Sequence, residues 1–256
     1  MVGWFYRLGK SLGPKVRRGL WMSQSVLGSE SDLIAAENAA GIDLAEEVRR
    51  QAPLDPDPQA DAFVQSIGSS LVSFVADTRR RFAFAVLASE EPNAFALPGG
   101  FVFITRGILE LCRWDRNEAA IILAHEMAHV IRKHPMERVM ESSALSAATR
   151  AMPVRGALGG WLKTAGLAVI EKAYSQEREL DADALGLKLA CAAGFDGRAG
   201  ERLMFRLAAI RQARNLPLGE YFDTHPPFER RIYELRRLLD KQRKPCPDNA
   251  EKPGTA

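Results

Sequence analysis

Along residues 82–105 the apolar positions change period. Phe82, Phe84 and Val86 alternate with Ala83, Ala85 and Leu87, a spacing of two that sends successive side chains to opposite faces of a strand. Two short apolar runs follow, 94–97 and 101–105, joined by Pro98-Gly99-Gly100, a sequence that turns rather than extends. A small antiparallel or mixed sheet is expected here. Around it the chain reads as helix. The Ala- and Glu-rich segment 30–51 ends at a cluster of Pro53, Pro56 and Pro58 with Asp55 and Asp57, and a second helix is expected over 59–78. Asp115 followed three residues later by Glu118, then the apolar run from Ala119 to Ala124, is the signature of a helix start. Lys133 and His134 before Pro135 give that helix a basic last turn and a stop. Further helices are expected over 176–193, 197–215 and 227–243. The Ala-, Gly- and Ser-rich stretch 136–174 predicts two more around 153–160.

The chain of 256 residues is 46% hydrophobic and 26% charged, the composition of a globular protein with one large domain or two small ones. A net charge of +3 is too mild to argue for nucleic acid, and no zinc-finger spacing or aromatic-basic stripe supports it. Cys112, Cys191 and Cys246 are odd in number and contain no C-x-x-C pair, which points to a reducing compartment. The expected location is cytoplasmic. No signal-like apolar run is visible at the start, and Arg150, Arg155 and Lys163 interrupt the best candidate for a spanning helix. Residues 1–29 carry Arg7, Lys10, Lys15, Arg17 and Arg18 among Trp4, Phe5, Tyr6 and Trp21, and contain no acid. Such an arm either packs on its own domain or lies on an anionic membrane surface, peripheral at the inner face of the membrane. The expected organisation is this arm, one domain over 30–243, and a disordered tail over 244–256, rich in proline and scattered charge. Nothing in the sequence speaks to oligomeric state.

The chemistry concentrates in His125-Glu126-Met127-Ala128-His129. On a helix a spacing of four turns the second imidazole about 40° from the first and lifts it about 6 Å, so both can reach one ion. Glu126 then lies beside an open coordination position, where a carboxylate can take a proton from water attacking a carbonyl. Two imidazoles leave a zinc site incomplete. The segment from Tyr174 to Asp183 offers two i,i+4 acid pairs, Glu177 with Asp181 and Glu179 with Asp183. The second pair continues into Gly186 and Ala190, a small-residue face able to approach the zinc helix closely, which favours Glu179; a solvated acidic face is the alternative.

These residues resemble the gluzincin endopeptidases that include type I CAAX prenyl protease, the heat-shock protease HtpX and Oma-type quality-control proteases. Asn93-Ala94-Phe95-Ala96 with Pro98-Gly99-Gly100, the HEMAH helix ending in His134, the segment Glu179 to Asp183, and Thr224-His225-Pro226-Pro227 occur in that family's order, and the likeness runs from about residue 59 to 237. The resemblance implies a mostly helical α+β, zincin-like domain with one Zn2+ held by His125, His129 and Glu179. It implies Glu126 as general base, Asp183 as acceptor from a zinc-bound imidazole, and His225 near the metal, either donating to the oxyanion or blocking the ion at rest. Asn93, Ala94, Phe95 and Ala96 become the sheet edge that binds substrate backbone. The expected activity is hydrolysis of internal peptide bonds in unfolded or extended proteins, in protein quality control. Two rivals remain: a silenced, chaperone-like module with an occluded zinc site that captures unfolded peptides on the free sheet edge, and a membrane-surface scaffold using the basic arm.

Overall fold

The computed structural model describes residues 29–139, 174–214 and 228–243. Residues 1–28 of the basic arm, the stretches 140–173 and 215–227, the latter with His225, and the residues from 244 lie outside the described residues. Helix α1 (Glu30–Gln51) opens on a reciprocal cap: the Ser29 hydroxyl accepts from the Asp32 N–H while the Asp32 carboxylate accepts from the Ser29 N–H. Helix α2 (Pro58–Val72) starts at Asp57, whose side chain accepts from the Gln59 N–H, with proline in the first turn. It ends well short of residue 78. The Asp77 carboxylate accepts from the Arg79 N–H and pairs with its guanidinium, a local turn that competes with the helix.

Strands β1 (Ala83–Leu87), β2 (Ala94–Leu97) and β3 (Phe101–Thr105) form one sheet in the order β1-β3-β2. The sheet is mixed: β1 runs parallel to β3, and β2 antiparallel to it. Between β2 and β3 the turn Pro98–Gly100 holds Gly99 and Gly100 at φ of 76° and 89°, left-handed geometry that glycine adopts without a steric penalty. A Cβ on Gly100 would also stand 1.9 Å from the Arg81 carbonyl oxygen.

The alternation of the strands sorts their side chains into two layers. Phe84, Val86, Ala94, Ala96, Val102 and Ile104 meet α2 and the helix of the HEMAH motif. Leu87, Phe95, Leu97 and Phe103 meet Ala40, Leu44 and Val48 of α1 on the other side. A short helix not foreseen from the sequence, α3 (Arg106–Leu111), follows β3 at once, because the Thr105 hydroxyl accepts from the Ile108 N–H and caps it. Helix α4 (Arg116–Ile131) then runs beneath β2, and α5 (Gln176–Ala192) lies along α4. Helices α6 (Arg198–Arg214) and α7 (Phe228–Arg243) pack behind this pair. Among the described residues no helix is long and apolar enough to cross a membrane.

Candidate metal centre

Helix α4 carries the motif because its sequence permits a helix buried on every side. From Glu118 to Val130 every residue is buried, and small alanines let the sheet, α2, α5 and α6 all close on it. Asp115 caps its start by accepting from the N–H groups of Asn117 and Glu118. The Glu118 side chain does not complete a capping box. It turns instead to Arg206 on α6, which donates to its two oxygens at 2.6 and 2.9 Å. At the other end Arg132 caps the helix and Lys133 takes φ of 64°. The chain then re-enters helix over 134–139, with Pro135 in the first turn.

Helix α5 approaches α4 through Gly186. A Cβ there would meet the backbone N of His125 at 2.9 Å and its Cα at 3.0 Å. That closeness brings Glu179, two turns back on the same face, to the imidazoles. The Nε2 atoms of His125 and His129 are 3.0 Å apart, and Glu179 places one oxygen 3.6 Å from the first and the other 3.3 Å from the second. The competing acid pair points elsewhere: Glu177 is exposed, and Asp181 pairs at the surface with Arg132 at 2.7 Å.

The triangle fits a small ion. Four-coordinate zinc with ligands at about 2.0–2.1 Å needs neighbouring donor atoms about 3.3–3.4 Å apart; the imidazole nitrogens at 3.0 Å, and the two Glu179 oxygens at 3.3 Å from one ring and 3.6 Å from the other, lie close to that value. Two imidazoles and a carboxylate, all buried, are a donor set that suits zinc and leaves a fourth position for reactants. Among the described residues these three are the histidines, cysteines and acids gathered closely enough to hold a metal.

Charge around the triangle is balanced from α7. Arg231, with no exposed side-chain surface, donates to both oxygens of Asp183 at 2.7 Å and sits 3.1 Å from Glu179. Asp183 in turn lies 2.9 Å from Nδ1 of His125, the carboxylate–imidazole contact that orients a metal ligand. Burial alone would push the Asp183 carboxyl up, but Arg231 and His125 hold it well below the usual carboxylate range. Burial likewise opposes charge on His125. Hydrogen bonding to Asp183 and Glu179, with their negative charge, outweighs it and holds the ring up at about 9.

The sequence profile of peptidase family M48 matches residues 58–239. The chain belongs to peptidase family M48. Its sheet, α4 and α5 all fall inside the M48 span. Over 158 residues, 60% of the chain, it is 34% identical to 45% of the mitochondrial metalloendopeptidase OMA1 of Schizosaccharomyces pombe. Over 227 residues, 82% of the chain, it is 29% identical to 45% of the beta-barrel assembly-enhancing protease of Escherichia coli. A putative protease of the same name from Vibrio cholerae is 31% identical over 74% of the chain and 41% of its own length. The chain thus spans less than half the length of these curated relatives.

Around the M48 site stand side chains to which the sequence assigns no contact with the metal-binding residues, His134 reading there only as the end of its helix. Nδ1 of His129 lies 2.9 Å from Nδ1 of the buried His134. Burial, with Arg178 nearby, holds the His134 ring down at about 4, so it is neutral and able to accept. Tyr174 stacks on the His129 ring with centroids 4.2 Å apart at 16°, and the Arg138 guanidinium caps the tyrosine at 3.2 Å. Glu126 is buried beside this stack, close enough that its charge helps to push the Tyr174 phenol up, after burial itself. The spacing of His134, five residues after His129, was the available signal for one of them. Arg231 and Arg138 gave none, because their partners lie on other elements. Of the expected substrate strand, Ala94 and Ala96 face α4 and Phe95 lies under α1, while the Asn93 N–H donates to the Thr105 hydroxyl at 2.8 Å. His225 lies outside the described residues.

Proposed function

We propose that this chain is a zinc-dependent endopeptidase domain, spanning 30–243, that cleaves internal peptide bonds of extended or unfolded proteins. The observation that carries the reading is the buried triangle of His125, His129 and Glu179, with Glu126 next to the first histidine on α4. Zinc, when bound, polarises the scissile carbonyl and makes water nucleophilic near neutral pH. Every other task falls to the chain. Glu126 takes the proton of the attacking water and delivers it to the leaving amine. Asp183 keeps His125 oriented, and Arg231 keeps both carboxylates charged in the interior. His225 donates a hydrogen bond to the developing oxyanion. Strand β2 ends the sheet and runs beside α4, so its backbone is the edge on which an extended peptide would pair, while the side chains of 93–96 serve the core. The name of the Escherichia coli relative, a beta-barrel assembly-enhancing protease, supports a place in protein quality control.

Cleavage of denatured casein, with products mapped by mass spectrometry, tests this. Products should vanish with a chelator and return with zinc. Glu126→Gln should retain zinc and lose turnover by about 10²–10⁴-fold, the scale of general acid–base catalysis. Peptide binding without chelator-sensitive products would assign the chain to the silenced, peptide-binding alternative instead.

A further inference from the structure

The two imidazoles of the triangle are held by different partners. His125 presents Nδ1 to the anionic Asp183, whereas His129 presents Nδ1 to another imidazole, that of His134. From this geometry we propose that His134 is a positioning residue, whose Nδ1 lone pair accepts the Nδ1 proton of His129 and so fixes the tautomer in which His129 Nε2 carries the lone pair that binds zinc.

The inference rests on the reading that His125, His129 and Glu179 hold zinc, and follows from counting protons. A neutral imidazole carries one N–H. Nε2 of His129 faces His125 at 3.0 Å and Glu179 at 3.3 Å, so a lone pair there requires the proton on Nδ1. That proton points at His134 Nδ1 across 2.9 Å, a hydrogen-bond distance only if one nitrogen donates and the other accepts. His134 must therefore carry its own proton on Nε2. The local chain is built for the contact. Helix α4 ends at Ile131, Lys133 takes left-handed φ of 64°, and the next helical turn begins at His134, aiming its ring back at His129. Tyr174, stacked on His129 at 4.2 Å and 5.7 Å from His134, closes the pair from one side. A neutral acceptor also adds no charge to a site already holding Glu179, Asp183 and Glu126, so Arg231 is not asked to balance a third partner carboxylate.

The test uses zinc affinity, by competition with a chromogenic chelator, and 15N spectra of the imidazoles, which are tractable with four histidines in the chain. Native protein should bind one zinc, and His129→Ala should not; if the native chain binds none, both the metal assignment and this inference fall. His134→Ala should weaken zinc binding about 10–100-fold, the usual cost of losing a ligand's outer partner, and its His129 signals should show mixed tautomers. His134→Asn sets an amide oxygen near the position of Nδ1 and should recover most of the affinity and the single tautomer. Should the alanine variant fail to fold, the asparagine variant is compared with His134→Leu, which fills the space without an acceptor. Zinc affinity within twofold of native in the Ala or Leu variant, or equal weakening in Asn and Leu, would overturn the proposal while leaving the metal site intact.

Discussion

Glu179 and Asp183 sit one turn apart on α5, both buried, and Arg231 stands against both. A guanidinium with three short contacts to two carboxylates is the fork-shaped partner that suits such a site. Removing it strands two buried negative charges, so Arg231→Met should cost about 3–5 kcal/mol of stability, the scale for breaking a buried pair. Thermal unfolding with and without zinc measures this, and zinc should recover part of the loss by neutralising Glu179; an unchanged Tm would mean that the carboxylates do not depend on Arg231. His125, Glu126 and His129 are legible in the sequence because the chemistry is local to one helix. Glu179 is narrowed by its face on α5 and chosen by resemblance. Arg231, Tyr174 and Arg138 are not legible, since each acquires its role from a neighbour brought in by tertiary packing. Cys112 gives a simpler forecast: burial pushes its thiol up, far from reactivity. In native protein, thiol reagents should modify Cys191 before Cys112, and labelling of Cys112 should track unfolding.

At the level of elements the decisive contact is α4 against α5, and it turns on a missing side chain. With only 2.9 Å from the Cβ position of Gly186 to the His125 backbone N, Gly186→Ala must shift one helix. Overpacking of this kind costs about 1–3 kcal/mol, and here it also moves Glu179 relative to both imidazoles. The expected outcome is a lower Tm together with weaker zinc binding. A variant with lower Tm but native zinc affinity would show that the triangle tolerates the displacement. The small-residue face of α5 is readable from Gly186 and Ala190, and the two-residue period of the strands is readable from 82–87. The sheet pairing is not, because β1 and β3 are parallel and joined through β2, a topology that local pattern leaves open. Helix α3 escapes the pattern since its cap, Thr105, is also the last residue of a strand. Helix α1 lies before the M48 span, yet covers Phe95, Leu97 and Phe103; the sheet that flanks the site is closed by residues outside the family's common region.

For the whole molecule, metal binding and folding are one equilibrium, since zinc bound to the native triangle alone adds stability of about 2.7 kcal/mol when free zinc is a hundredfold above Kd. The protons decide how that gain varies with pH. In the metal-free chain His125 is held up at about 9 by Asp183 and Glu179 against the opposing effect of burial, whereas an unfolded histidine titrates near about 6.5. A folded pKa above the unfolded one means that the charged ring stabilises the fold fully below about 6.5 and that this contribution is lost as pH rises through about 9. Metal-free protein should therefore lose stability across that window. Zinc needs the Nε2 lone pair of His125 that the proton occupies, so binding at a pH of about 7.5 should release about one proton. Calorimetric titration in buffers of different ionisation enthalpy counts it. An enthalpy independent of buffer would mean that His125 is already neutral in the metal-free chain, and that the carboxylates around it are balanced by Arg231 alone.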